Sequence, residues 1–352
     1  MPLIPREILN ERKTKTSVYK KRNRVFGPLA DIRETFNSPE VVLDHIFRAR
    51  YAKTVGECSS CGSPYSFYKK VPGRLAYRCL CKKSRMIFPL KGTPLEHCKI
   101  PLPIVIEIIY ELFCSKHGFT ATELERKFGF KNETCHLILD KISQLFGLAI
   151  FNRHFASDSI IEVDEVYPYV QTGLGEYHSF KRGLGSERLQ TVVTFTERDN
   201  NGKVGITKAF AVEEANSKTL KKLFSENTKA SNIIYTDESK IYNFLEYDEA
   251  FKGMYHNACN HRRKEWANGD CHVNTVEGFN SFVKKTIHSI YLGVSKPKVQ
   301  LYLNRVAFVF SFRDRNMLEV FEILFSSLPE LNNSIEHRIT CNRTKTKWSE
   351  AA

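Results

Sequence analysis

Three carboxylates stand where an enzyme that cuts or joins nucleic acid through bound metal needs them. Asp164 lies inside the apolar run IIEVDEVY at 160–167, Asp237 closes the run IIYTD at 233–237, and Glu277 sits near the start of the amphipathic segment HVNTVEGFNSFVKK at 272–285. A charge in or at the end of a core strand costs free energy unless it is paired or binds a metal. Two Mg²⁺ ions about 3.5–4 Å apart activate an attacking oxygen and stabilise a leaving oxygen of a phosphodiester. Mg²⁺ is hard and takes oxygen ligands, hence carboxylates rather than thiols. In that chemistry Asp164 bridges both ions, and Asp237 and Glu277 each hold one side. Asp237 also fits a strand-end turn, and Glu277 also fits a helix start facing the helix dipole. Asp164 has the least structural purpose. Its rivals are Glu162 and Glu165; a strand's period of two puts Glu162 on the face of Asp164 and Glu165 on the other.

The elements that must position these groups can be read around them. Residues 160–167, 189–196 and 204–212 read as strands, with a turn at 199–202 between the last two. Ser217 caps a helix bearing Leu220, Leu223 and Phe224, and 233–235 is a short buried strand. Three antiparallel strands, a helix and a further strand give the order of a ribonuclease-H-like core, beginning near residue 155. After it, Val276, Phe279, Val283 and Ile287 form one apolar helical stripe, with Glu277, Ser281, Lys284 and His288 as a polar stripe beside it. Lys284 is two turns from Glu277, placed to contact a phosphate as a point charge; a solvated lysine is the plain alternative.

Composition agrees with a polyanionic partner. The formal net charge is +14 and the isoelectric point about 9.2, which favours nucleic acid over an anionic membrane surface. The charge is concentrated: net +6 over residues 1–24, +7 over 58–85 and +6 over 281–315. No run of about 18 apolar residues suggests a membrane span, and the N-terminus lacks the apolar core of a secretory signal. Ten cysteines in such a chain read as reduced thiols and metal ligands rather than disulfides. Cys58-x-x-Cys61 and Cys79-x-Cys81 flank turn signals and aromatic strand residues, the pattern of a zinc ribbon. The second pair is one residue short of the usual spacing, with His97 or Cys98 as a substitute ligand.

Upstream of the strands the chain reads as helical. Ser38 and Pro39 open a helix over 38–50. Residues 102–149 are all-helical, with a capping box at 120–123, Gly129 ending one helix and Asn132 capping the next. That pair fits helix-turn-helix geometry, with Lys131, His136 and Lys141 as possible DNA contacts. The expected organisation is multidomain α+β. Residues 1–34 form a basic flexible N-terminus, 35–100 a short helix plus zinc ribbon, and 101–155 a helical DNA-binding region. Residues 156–315 form a ribonuclease-H-like mixed α/β catalytic domain, and 316–352 a C-terminal helix and polar tail.

Several ordered blocks together carry a resemblance. They are Cys58-x-x-Cys61-Gly62, Tyr77-Arg78-Cys79, Gly92-Thr93, the block VDEVY at 163–167, Tyr235-Thr236-Asp237, Asn260-His261 and the block HVNTVEGF at 272–279. Lys284-Lys285, Tyr302-Leu303, Phe308 and Arg313 complete the series. In these blocks the chain resembles the Merlin-type DDE transposases and their bacterial insertion-sequence relatives, the ISXO2-like domain, over about residues 35–315. The block around Glu277 is the most specific. The resemblance implies metal-dependent cleavage at transposon ends and joining of the freed 3′ hydroxyl to target DNA. It implies Asp164, Asp237 and Glu277 as ligands of two Mg²⁺ or Mn²⁺ ions, Lys284 as the basic position after the last acid, and structural Zn²⁺ on Cys58, Cys61, Cys79 and Cys81. Asn274 competes with Glu277, since some relatives use an Asn there. The chain departs from the family in its short second cysteine pair and in SFRDR at 311–315.

The implied partners are double-stranded DNA, as transposon ends and target, and further copies of the chain in a homodimer or higher multimer. No membrane or small-molecule substrate is implied. The protein would work beside the genome, in the nucleus of a eukaryotic host or otherwise in the cytoplasm. Two alternatives keep the fold: a domesticated or decayed relative that binds DNA without catalysis, and a ribonuclease-H-like nuclease. A zinc-dependent transcription regulator would have no carboxylate cluster in residues 155–315.

Overall fold

The computed structural model describes residues 29–51, 61–63, 66–68, 76–78, 86–115, 117–172, 186–199, 202–259 and 271–329. In chain order these form helices α1 (Leu29–Thr35) and α2 (Pro39–Tyr51), strands β1 (Ser66–Tyr68), β2 (Ala76–Arg78) and β3 (Met86–Ile87), then α3 (Leu102–Cys114), α4 (Ala121–Phe128) and α5 (Asn132–Phe151). Next come β4 (Ile160–Val166), β5 (Val170–Gln171), β6 (Thr191–Arg198), β7 (Val204–Val212), α6 (Ser217–Asn227), β8 (Ile233–Asp237), α7 (Phe244–Tyr247) and β9 (Tyr255–Cys259). The described chain closes with α8 (Asn274–Lys285), a π-helical turn Thr286–Ile290, β10 (Val294–Ser295), α9 (Val299–Phe312) and α10 (Met317–Ser326).

The contacts divide the chain into two units. In the first, α1, α2, α3 and α10 pack beside a small antiparallel sheet ordered β1-β2-β3. Tyr77 of that sheet stacks on Phe47 at 3.9 Å and donates its hydroxyl to Asp44 at 2.8 Å. Arg50 is buried and donates to the carbonyls of Pro89, Lys91 and Pro329. Ser38 accepts from the Val41 N–H at 3.3 Å, the cap expected for this helix. Cys61 is exposed; Cys58, Cys79 and Cys81 lie outside the described residues, as do residues 1–28, His261 and the polar tail, while residues 29–34 of the expected flexible N-terminus form α1.

The second unit is built on a mixed five-stranded sheet ordered β7-β6-β4-β8-β9. β4, β6 and β7 form the antiparallel meander, while β8 lies parallel to β4 and β9 parallel to β8. Alternation along β4 sends Ile161 and Val163 to one face, where they meet Phe195, Leu223, Phe224 and Tyr242 under α6 and α7. Val166 and Val192 turn to the other face and pack on Phe279 and Val283 of α8 and on Leu303 and Val306 of α9. The sheet is therefore buried on both sides, which explains why its strands read as near-continuous apolar runs.

Helix α5 is the one helix among the described residues long and apolar enough to cross a bilayer by length and composition, but most of it is buried inside this unit. It packs on α9: Phe146 stacks on Phe308 at 4.1 Å. A Cβ on Gly147 would come within 2.4 Å of the Asn304 side-chain nitrogen, so this crossing needs glycine. Upstream, Thr120 and Glu123 form the expected capping box, and Gly129 ends α4 with φ 71°. Two local expectations shift. Asn132 starts α5 rather than capping it, and its side chain donates to Glu125 at 2.9 Å. The cap of α6 is Asn216, one residue before Ser217.

Candidate active site

β4 carries two acids on one face, Glu162 and Asp164, and both reach α8. Glu162 is fully buried. Its Oε1 accepts from Arg198 Nε at 2.6 Å and from the Thr275 hydroxyl at 2.9 Å. Its Oε2 accepts from the backbone N–H groups of Thr275 and Val276 at 2.8 and 3.0 Å. His272 Nδ1 lies 3.2 Å from Oε1. A carboxylate has about four acceptor sites, so Glu162 is saturated by protein donors. That removes it as a rival metal ligand.

Asp164 stands two residues further on the same face. Asn280 of α8 donates from Nδ2 to Asp164 Oδ2 at 2.8 Å, and the Thr194 hydroxyl lies 2.9 Å from both the Asn280 side-chain oxygen and the Asp164 carbonyl. Burial pushes the Asp164 carboxyl up to about 6, and the charges of Asp237 and Glu277 add to the rise, against hydrogen bonds from Asn280 and the Glu165 backbone. Electrostatically, then, the three expected acids share one region.

Register explains the meeting of the first two. The parallel β4–β8 ladder pairs Ile160 with Ile233 and Glu162 with Tyr235. Two residues beyond that last pair on each strand come Asp164 and Asp237, at one level and on one face. Asp237 Oδ1 accepts from the Ser239 N–H at 3.1 Å, the strand-end turn role also expected of it. Glu277 is exposed on the first turns of α8. Asn274 is exposed at the first position of the same helix.

The rest of α8 follows its sequence pattern. Val276, Phe279, Val283 and Ile287 are buried. Glu277, Ser281, Lys284 and His288 are exposed. Glu165 points to the opposite face, where Tyr242 donates to it; burial raises its carboxyl to about 7, with Asp164 and Asp237 adding. Of the three possible contacts on α5, Lys141 is tied to the Pro94 carbonyl at 2.6 Å, while Lys131 and His136 are exposed. Residues 271–273 sit against the sheet through Cys271, whose sulfur is 2.8 Å from that of Cys259; both thiols are buried. Among the described residues, no group of three or more His, Cys, Asp or Glu side chains is gathered closely enough to form a ready-made metal clasp. The donor set of Asp164, Asp237 and Glu277 is all oxygen and all acidic, the chemistry a hard divalent cation requires.

Residues 156–311 match the family model of the ISXO2-like transposase domain. Over these residues the chain is similar to insertion-sequence transposases. The matched span contains the whole five-stranded sheet, all three acids and α8. The chain is also similar to an uncharacterized protein in transposable element ISH50 of Halobacterium salinarum, at 26% identity over 256 residues, 70% of this chain and 82% of that protein.

Asn280 and the saturated state of Glu162 were not foreseen. Asn280 falls between the apolar and polar stripes of α8, and an Asn there is common on a solvated helix flank. Its burial at 5% was the missing fact.

Proposed function

We propose that this transposase relative is a DDE enzyme that cleaves transposon ends and transfers the freed strands into target DNA. Asp164, Asp237 and Glu277 would hold two Mg²⁺ or Mn²⁺ ions. The register that sets Asp164 and Asp237 at one level on neighbouring parallel strands, with α8 tied to Asp164 through Asn280, carries the reading. Burial first, and then the charges of Asp237 and Glu277, raise the Asp164 carboxyl, a cost that a bound cation would offset. The strand order, with β8 parallel to β4 and an acid on each, supports a ribonuclease-H-like catalytic fold.

Each residue then has a task. Asp164, held by Asn280, faces both partners from the central strand. Asp237 fixes one side from the neighbouring strand, and Glu277 approaches from the helix above. Bound metal would activate the attacking oxygen and stabilise the leaving one. Lys284, two turns along α8 and exposed, would contact a phosphate of the strand being cut. Asn274 has the weaker claim as the last ligand, because a neutral amide oxygen offsets less of a divalent cation's charge than a carboxylate does.

The three-stranded sheet lying among the cysteine pairs supports a zinc ribbon on Cys58, Cys61, Cys79 and Cys81. Double-stranded DNA is the partner; pairing two transposon ends calls for at least a dimer. The setting would be beside the genome.

Strand transfer on a duplex carrying the element's terminal repeats tests the reading. The unmodified chain should cleave and join with Mg²⁺ or Mn²⁺, and Asp164→Asn, Asp237→Asn and Glu277→Gln should each fall to background. Cleavage without joining would favour a nuclease. DNA binding without cleavage would favour a decayed relative. Unchanged activity in Glu277→Gln beside loss in Asn274→Ala would reassign the last ligand.

A further inference from the structure

We infer that Glu162 is a positioning residue for Glu277: it caps helix α8 from strand β4 and thereby sets where Glu277 stands over Asp164. The inference rests on the reading of Glu277 as a metal ligand.

The first N–H groups of a helix have no partner inside it, and a side chain at the residue before the helix ordinarily supplies one. Here that residue is Val273, which makes no side-chain cap. The missing acceptor comes from 113 and 114 residues away, as Glu162 Oε2 takes the N–H groups of Thr275 and Val276. Glu277 is the next residue, and its own N–H makes the first bond of the helix proper, to the Val273 carbonyl at 3.0 Å. The capped turn is therefore the turn that presents Glu277.

A second anchor lies further along. Asn280 ties α8 to Asp164. Glu162 and Asp164 are two residues apart on a strand, about 6.6 Å. Their contacts on α8, at 275–276 and at 280, are four to five residues apart on a helix, about 6–7.5 Å. The spacings match, so one strand face grips the helix at two points in the same order. Glu277 lies between them. Without the first grip the opening turn keeps the apolar packing of Val276 but loses the acceptor for two of its N–H groups, and Glu277 is in the part that frays.

The charge of Glu162 is itself held. Arg198 pairs with it at 2.6 Å, both side chains being at most 4% exposed, and the Arg198 guanidinium lies 5.5 Å from the Tyr235 ring centre. Arg198 thus places a positive charge against the same carboxylate that accepts from the two backbone donors.

The test uses the full chain and Mn²⁺ itself. Two variants are made: Glu162→Gln, and the double variant Glu162→Leu/Arg198→Leu, which removes the buried ion pair without leaving a lone charge. Hydrogen exchange of the peptide covering 274–280 should rise in both by more than the general rise that lost stability gives the β7 peptide. Mn²⁺ affinity, read by paramagnetic resonance of the free ion, should weaken about 10- to 100-fold, the usual loss when a group orienting a metal ligand is removed. The double variant keeps the test informative if Glu162→Gln does not fold. A folded variant with unmodified Mn²⁺ affinity, or with unchanged exchange at 274–280, overturns the inference. Glu277→Gln serves as the control. If it too binds Mn²⁺ like the unmodified chain, the metal reading fails. If it loses binding while the Glu162 variants keep theirs, only the positioning role fails.

Discussion

Glu162 and Asp164 are neighbours on one face of one strand, touch the same helix, and live in opposite conditions. Glu162 is buried completely, yet every acceptor site is met by a cation, a hydroxyl or a backbone donor. Asp164 is less buried, has one side-chain donor in Asn280, and is pushed up to about 6, by burial first and then by the charges of Asp237 and Glu277. The first site is satisfied by the protein alone. In the proposed reading the second is completed by a bound cation. Stability is invested at residue 162 and withheld at residue 164, the pattern expected where a binding site is built on a rigid element.

The contrast breaks most visibly in stability. Glu162→Gln leaves Arg198 buried beside an uncharged partner, and losing one member of a buried pair costs about 3–5 kcal/mol. Denaturant unfolding of the metal-free protein should show that loss.

Asp164→Asn should do the reverse. A carboxyl raised from 3.8 to about 6 favours the protonated fold. Its contribution is fully present below pH 3.8 and is lost as pH rises through 6. At pH 7 without metal its ionisation therefore destabilises the protein, by at most about 3 kcal/mol. Asp164→Asn should be more stable than the unmodified chain at pH 7, equal to it near pH 4, and inactive. A destabilised Asp164→Asn at pH 7 would erase the contrast.

Sequence reading reached one side of this contrast and not the other. Asp164 stood out as a charge among Ile and Val, Asp237 was joined to it by the expected ribonuclease-H-like strand order, and Glu277 by the resemblance of the block HVNTVEGF to the transposases. The alternation that separates Glu162 from Glu165 was also legible, since a pleat has a period of two. What could not be read was partnership. The donors to Glu162 come from residues 198, 275 and 276, and nothing in a linear pattern says that a helix lacking its own cap will borrow one from a strand. Asn280 was hidden for the same reason. The helical cap at Asn216 was misplaced by one residue, because Asn and Ser are equivalent caps and only backbone geometry separates them.

Smaller effects sharpen the contrast. Asn280→Ala removes the donor to Asp164 and a partner of Thr194, and should lower the cleavage rate about 10- to 100-fold with little change in DNA affinity. At the far end of α8, Lys284→Ala should weaken DNA binding evenly across sequences and reduce its salt dependence by about one counterion, leaving metal affinity and stability unchanged. A metal effect from Lys284→Ala would mean that the site extends further along the helix than the two anchors suggest.

The central claim, that Asp164, Asp237 and Glu277 form a divalent-metal site, is tested most directly by Mn²⁺ titration of the full chain followed by paramagnetic resonance. Binding should be present at pH 7.5, weaken as pH falls through about 6, where Asp164 takes up its proton, and be lost in Asp164→Asn and Glu277→Gln. Equal binding by the unmodified chain and both variants, with no dependence on pH across that range, would contradict the claim.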